Sequence, residues 1–217
     1  SRLQGRVPYL ATVRAPSDPR ESPGPSDVLE VASYNVHRWT GLNGRARPDA
    51  ARAGFVISEL DADVIALQEV LRPSEGVDPI DGLCDGLGLY LAFAVTRMHR
   101  HGQLGNAILS RYPITAISVL DISFSRIERR GVLAAQFHAP AGSLGVVATH
   151  LSLVDRTRER QVQQLLDHPQ LNSGPSVLVG DMNSWRRCKA SQNLDDALRR
   201  HHNVAWPATF PSARPML

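Results

Sequence analysis

Ser176 to Trp185 reads SVLVGDMNSW, an apolar run followed at once by polar groups able to do chemistry. Val177, Leu178 and Val179 form an unbroken hydrophobic stretch ending at Gly180, the pattern of a short strand buried on both faces. Asp181 and Asn183 come directly after it. If the extended geometry persists, their spacing of two turns both side chains to one side of the chain. A carboxylate only accepts hydrogen bonds, whereas an amide also donates, so the pair suits a water or metal together with a phosphate oxygen. Taken alone, the same residues more often make a turn or a helix cap. The rest of the chain has to decide.

Working outward, Arg156 to Leu166 reads as a polar helix with Val162, Leu165 and Leu166 toward a core, and Leu144 to His150 as the strand before it. Upstream the chain is strand-rich, with Tyr90 to Arg97, Leu104 to Leu109, Ile114 to Ile122 and Gly131 to His138. Turn signals at Tyr112-Pro113 and Pro140-Ala141-Gly142 separate them, as between antiparallel neighbours. Nearer the N-terminus, Val28 to Val36 is a strand delivering Asn35 and His37. Pro48 then opens a helix to about Leu60 whose buried face is Phe55, Val56, Ile57 and Leu60. Asp63 to Val70 is a further strand ending near Glu69, and Pro79 to Leu87 a short helix. Strand, helix, strand in succession marks an α/β arrangement. After the opening stretch come a helix around Ala190 to Arg200 and an extended end from Ala208 to Leu217. The expected fold is an α/β four-layer sandwich: two packed mixed β-sheets flanked by helices.

Residues 1–27 are rich in Pro, Ser and Arg and read as a tail or linker ahead of a domain spanning 28–217. Alternation within RLQGRVPYLATVR leaves a stray strand or a docked arm open. The chain of 217 residues, 42% hydrophobic, is long enough for one domain with a substantial core. No apolar run is long enough to span a membrane. The net charge of +3, with Arg far outnumbering Lys, suits phosphate without requiring a polyanionic partner. Two cysteines exclude a disulfide framework and a structural zinc site, and leave the redox compartment undecided. A soluble, cytoplasmic monomer is the working expectation.

Four strands thus end in groups that bind a hard cation or a phosphate: Asn35, Glu69, His150 and the Asp181/Asn183 pair. Singly, each is more often a turn residue, a solvated strand end or a structural histidine. Their recurrence at strand ends is what points to a shared site, since binding groups gather there in layered folds.

Seven stretches carry a resemblance: SYNVH at 33–37, ALQEV at 66–70, GNAILSRYPI at 105–114, RGVLAAQF at 130–137, VVATHLSL at 146–153, VLVGDMNSW at 177–185 and TFPS at 209–212. In this order they resemble the endonuclease/exonuclease/phosphatase superfamily of metal-dependent phosphoesterases. The resemblance implies that Glu69 is the principal ligand of Mg²⁺, with Mn²⁺ able to serve in its place, and that Asn35 lies beside it. It implies that Asp181 orients and deprotonates the attacking water, that Asn183 holds a phosphate oxygen and fixes Asp181, and that His150 donates to a non-bridging oxygen. Asn106 and Arg130 match less distinctive positions and are assigned to substrate binding. A solvated strand-end charge is the competing reading of Arg130.

One departure stands out. Family members carry an Asp-His pair on a further strand shortly after TFPS, whereas this chain ends PSARPML, and His201 and His202 precede TFPS. The expectation is a domain lacking its final strand in this chain. The activity that the resemblance implies is Mg²⁺-dependent hydrolysis of a phosphate ester, be it nucleic acid, phospholipid or small phosphoester. The alternative is a catalytically silent phosphate-binding or regulatory domain of the same fold. The stretch Arg97 to His101 and the RIERR run at Arg126 to Arg130 offer charge for a nucleic-acid groove, but aromatics make up only 6%, and the polar loop between Gly41 and Pro48 gives a lipid substrate little support.

Overall fold

The computed structural model describes residues 10–21, 24, 28–40, 48–125, 127–140, 142–172 and 174–198. Among the described residues, nine strands form two sheets. The first contains β1 (Ala11–Arg14), β2 (Val31–Asn35), β3 (Val64–Pro73), β4 (Tyr90–His99) and β5 (Gly102–Ser110), in the order β1-β4-β5-β3-β2. The second contains β6 (Ile114–Asp121), β7 (Gly131–Ala139), β8 (Gly142–His150) and β9 (Ser176–Asp181), in sequence order. Helix α1 (Ala50–Leu60) connects the parallel pair β2/β3, and α3 (Asp155–Leu166) with α4 (Pro169–Asn172) connects the parallel pair β8/β9. The remaining pairs are antiparallel, so both sheets are mixed. Helix α2 (Pro79–Leu87) lies between β3 and β4, and α5 (Lys189–Leu198) follows β9.

The four layers follow from strand alternation. On β3, Val64 and Ala66 pack between the sheets while Ile65 and Leu67 pack toward α1 and α2. On β8, Val146 and Ala148 face the other sheet while Val147 packs with Val162 and Leu165 of α3 and Ala190 and Leu194 of α5. Strands with apolar residues on both faces have to be covered twice, which places helices on both outer faces.

Several expectations need correction. Within the stretch read as a tail, the stray strand left open in RLQGRVPYLATVR is present: Ala11 to Arg14 form β1, paired antiparallel with β4 at the sheet edge. Its surroundings disguise it, because Pro and Ser follow directly and only four residues pair. The buried face of α1 is Ala53, Gly54 and Ile57, while Phe55 is 67% exposed. The helix begins after Asp49, whose carboxylate accepts from the Arg52 N–H at 3.2 Å, so Pro48 stands just outside it. β9 is half-buried along its length rather than covered on both faces, because it is the edge of its sheet among the described residues. The expected extended segment from 208, the TFPS stretch, His201 and His202 lie outside the described residues.

Candidate active site

Because β2 runs parallel to β3 and β8 parallel to β9, the C-terminal ends of β2, β8 and β9 meet at one end of the sandwich. His150 is the register partner of Asp181, and Asn35 that of Gln68, the residue before Glu69. Across the two sheets, Asn35 Nδ2 donates to Asp181 Oδ2 at 3.1 Å. His150 Nε2 lies 3.6 Å from that same oxygen. Asn35 is itself fixed, its Oδ1 accepting from the His37 N–H at 2.9 Å.

Asn183 reaches the site by a different route from the one its spacing suggested. The strand ends at Asp181, and Asn183 adopts φ 48°, so the chain turns instead of staying extended. Its N–H donates to Asp181 Oδ1 at 3.1 Å, and its Nδ2 donates to the Leu151 carbonyl at 2.8 Å. The turn and the site are therefore one object: the bend closes a hydrogen bond onto the carboxylate and aims its second oxygen at Asn35 and His150.

Glu69 also departs from its expected place at a strand end. β3 continues to Pro73, and its register against β5 shifts between Leu67 and Val70, with Glu69 at φ 53°. A bulge of this kind re-aims a side chain next to a site. His37, Arg38 and Trp39 all have positive φ as well, directly after Asn35. Of the six described non-glycine residues with positive φ, five are in these site segments, and the sixth, Asp61, caps α1. Strain this localised belongs to the site, where surrounding structure holds it in place. Trp39, buried, anchors the segment through an indole N–H donated to the Leu71 carbonyl at 2.7 Å.

Glu69, Asn106, Arg130 and His150 line one cleft between the sheets, together with Arg97 and Arg129. Asn106 is buried and donates to the Gly131 carbonyl at 3.0 Å. Arg130 donates to Glu128 Oε1 at 3.0 Å and places Nη1 3.4 Å from His150 Nδ1. Burial pushes the Glu128 carboxyl up, yet the Ser152 hydroxyl and the Arg130 guanidinium outweigh it and hold it below the ordinary range. For His150, burial and then the Arg130 guanidinium push the imidazole down to about 4, against the opposing pull of Asp181, Glu69 and Glu128. A guanidinium only donates, so Nδ1 is the bare acceptor and the single ring proton sits on Nε2, facing Asp181. His150 is thus a neutral donor rather than a proton source of cationic type.

Residues 32–216 match the profile of the Endonuclease/Exonuclease/phosphatase family. The chain belongs to this family. Among its relatives, an uncharacterized protein of Escherichia coli K12, YbhP, is 32% identical over 212 residues, covering 87% of this chain and 81% of that protein. An endonuclease/exonuclease/phosphatase structure from Beutenbergia cavernae superposes with a TM-score of 0.65 at 25% identity, over 80% of this chain; the match spans 54% of that protein. The fold is shared with D. rerio TDP2 complexed with single-strand DNA product (TM-score 0.57, 16% identity, 83% of this chain and 74% of that one). The sequence motifs and the two mixed sheets flanked by helices therefore belong together as this family's fold.

A divalent cation is what the resemblance implies, and the surroundings of Glu69 are what bear on it. Arg38 Nε lies 3.7 Å and His37 Nδ1 4.0 Å from Glu69 Oε2, neither a hydrogen bond, so these contacts leave that carboxylate oxygen open. Among the described residues, no three His, Cys, Asp or Glu side chains group tightly enough to cage an ion. Asn35 Oδ1 accepts from the His37 N–H and keeps one lone pair, so it and the Glu69 carboxylate are the candidate oxygen ligands for a hard cation that takes few protein ligands and keeps its water. Sequence reasoning missed Arg38, for which the HR pair right after SYNV was the available signal; Arg97 and the RIERR run holding Glu128 and Arg129 were read only as charge for a nucleic-acid groove.

Proposed function

We propose that this chain hydrolyses phosphate esters with a water molecule as nucleophile. Asp181 orients the water and takes its proton as the water oxygen bonds to phosphorus and the ester oxygen leaves. Asn35 and the Asn183 N–H hold the two oxygens of that carboxylate, so its aim costs no reorganisation during the reaction. The Nε2–H of His150 donates to a non-bridging oxygen where charge develops. Asn106 and Arg130 shape the cleft wall against the ester. Mg²⁺, held by Glu69 and Asn35, would supply charge neutralisation at the phosphoryl group.

The observation that carries this reading is the contact between sheets: residues 146 apart in sequence, Asn35 and Asp181, are hydrogen-bonded, and His150 addresses the same oxygen. Related folds add support, since ANGEL2, described as a 2',3'-cyclic phosphatase, was solved with adenosine-2',3'-vanadate (TM-score 0.56, 22% identity, 72% of this chain and 54% of that one). The test is a panel of nucleic acid, sphingomyelin, phosphoinositide and bis(p-nitrophenyl) phosphate, each with Mg²⁺ or with chelator. Turnover of at least one ester, lost with chelator and in Glu69→Ala, is the expected result. Ligand binding without turnover across the panel would instead favour a silent phosphate-binding domain.

A further inference from the structure

Building on the hydrolytic reading of the cleft, we propose that Arg97 and Arg129 form a second anion subsite, so that the preferred substrate carries a second phosphate besides the one attacked. Arg97 comes from β4 in the first sheet and Arg129 from the loop before β7 in the second, and both line the cleft that holds Glu69 and His150. The cleft lining sets three arginines against one carboxylate. Arg130 is engaged by Glu128 and His150. Glu69 is faced by Arg38 and His37. Among the described residues, no hydrogen bond or ion pair engages the guanidinium of Arg97 or of Arg129. Arg97 is exposed and Arg129 half-buried, and an anion in the cleft they both line is attracted to each of them. The guanidinium fork matches phosphate geometry in particular.

Arg97 is also placed by a specific device. The register of β4 against β5 shifts between Val95 and Arg97, leaving Thr96 as the extra residue, with its hydroxyl donating to the Leu104 carbonyl at 3.0 Å. On the other side of β5, the bulge of β3 presents Glu69 at the level of Gly105 to Ala107. Two bulges therefore flank one short piece of β5, one aiming the proposed cation ligand and the other an arginine. The positive field continues along the hairpin tip: burial, then Arg97, His101, Arg38 and Arg100, lower the His99 pKa. An ester with a single phosphate satisfies the reaction centre and leaves both guanidiniums unmatched. A bisphosphate satisfies all of them.

Calorimetric titration of the full chain in Mg²⁺ buffer tests this without requiring turnover. Two matched pairs serve as probes: thymidine 3',5'-bisphosphate against thymidine 5'-monophosphate, and inositol 1,4-bisphosphate against inositol 1-phosphate. The bisphosphate of at least one pair should bind roughly tenfold tighter or more than its monophosphate, and the pair that shows this identifies the backbone. Arg97→Ala and Arg129→Ala should each erase that preference while leaving monophosphate affinity in place, and Arg97→Lys should restore part of it. Equal affinities in both pairs, no binding at all, or a preference that survives both alanine variants would overturn the subsite and mark these residues as solvated charges. Failure of the reaction is read separately: absent turnover with an intact, arginine-dependent preference removes the hydrolysis and leaves the subsite.

Discussion

His150 shows how a single residue's surroundings set its chemistry. It is 6% exposed, its Nδ1 faces the Arg130 guanidinium, and its pKa is pushed down to about 4 from an ordinary 6.5, by burial first and Arg130 second. The sign of the pH effect follows from that depression. Between these values the unfolded chain binds the proton and the folded chain does not, so stability rises with pH across this window. The contribution is whole above pH 6.5 and is lost as pH falls toward 4. Ring resonances of His150 in an NMR titration should therefore move near pH 4, and Arg130→Gln should shift that midpoint upward. A midpoint at or above 6.5 in the wild type would contradict the assignment. Asn35, His150 and Asp181 were legible in the sequence because each closes an apolar run with a group of the wrong polarity for a core. Arg97 and Arg129 were legible only as members of two basic stretches, because many arginines are spread along this chain and only the folded cleft brings those two together.

At the scale of elements, β3 and β9 explain what the apolar runs concealed. DVIALQEV reads as a strand stopped by Glu69, but the strand passes through a bulge and ends at Pro73. Periodicity registers the polar residue and has no means to register the left-handed φ of 53° that lets the ladder resume. A side chain in that region costs backbone strain that glycine avoids. Glu69→Gly should therefore be more stable than Glu69→Ala by about 1 kcal/mol in denaturant unfolding, with both inactive. Equal stability would mean the bulge relaxes once the carboxylate is gone. β9 carries a second constraint at Gly180, where φ is 143° and a Cβ would run into the Thr149 carbonyl of β8. Gly180→Ala should cost roughly 3 kcal/mol and displace Asp181, so that both stability and turnover fall. A variant with wild-type melting and wild-type turnover would show that β9 tolerates the shift.

For the whole molecule, the layered α/β architecture followed from the order of runs, while the N-terminal boundary did not. Arg14 Nη2 lies 2.6 Å from Asp85, Ser17 donates to Asp85 through its N–H and its hydroxyl at 2.8 and 2.9 Å, and the Arg20 N–H donates to the Gly88 carbonyl at 3.0 Å. The Arg14 and Ser17 hydrogen bonds hold the Asp85 carboxyl down to about 2. The segment after β1 is therefore an arm laid along α2, though composition alone reads it as linker. Removing residues 1–27 should lower the melting temperature by roughly 5 °C or more, and the bared edge of β4 should promote self-association in size-exclusion chromatography. Unchanged melting and elution would return the segment to a tail.

Two sheets bring Asn35, His150 and Asn183 to the one carboxylate of Asp181, and that convergence is the core of the functional account. Its most direct test is the turnover number of Asp181→Ala on the ester that the wild type cleaves best in Mg²⁺, with thermal melting measured on the same samples. The account predicts a loss of roughly a thousandfold with folding retained. Turnover within about twofold of wild type, in a protein that melts normally, would mean that the chemistry happens elsewhere.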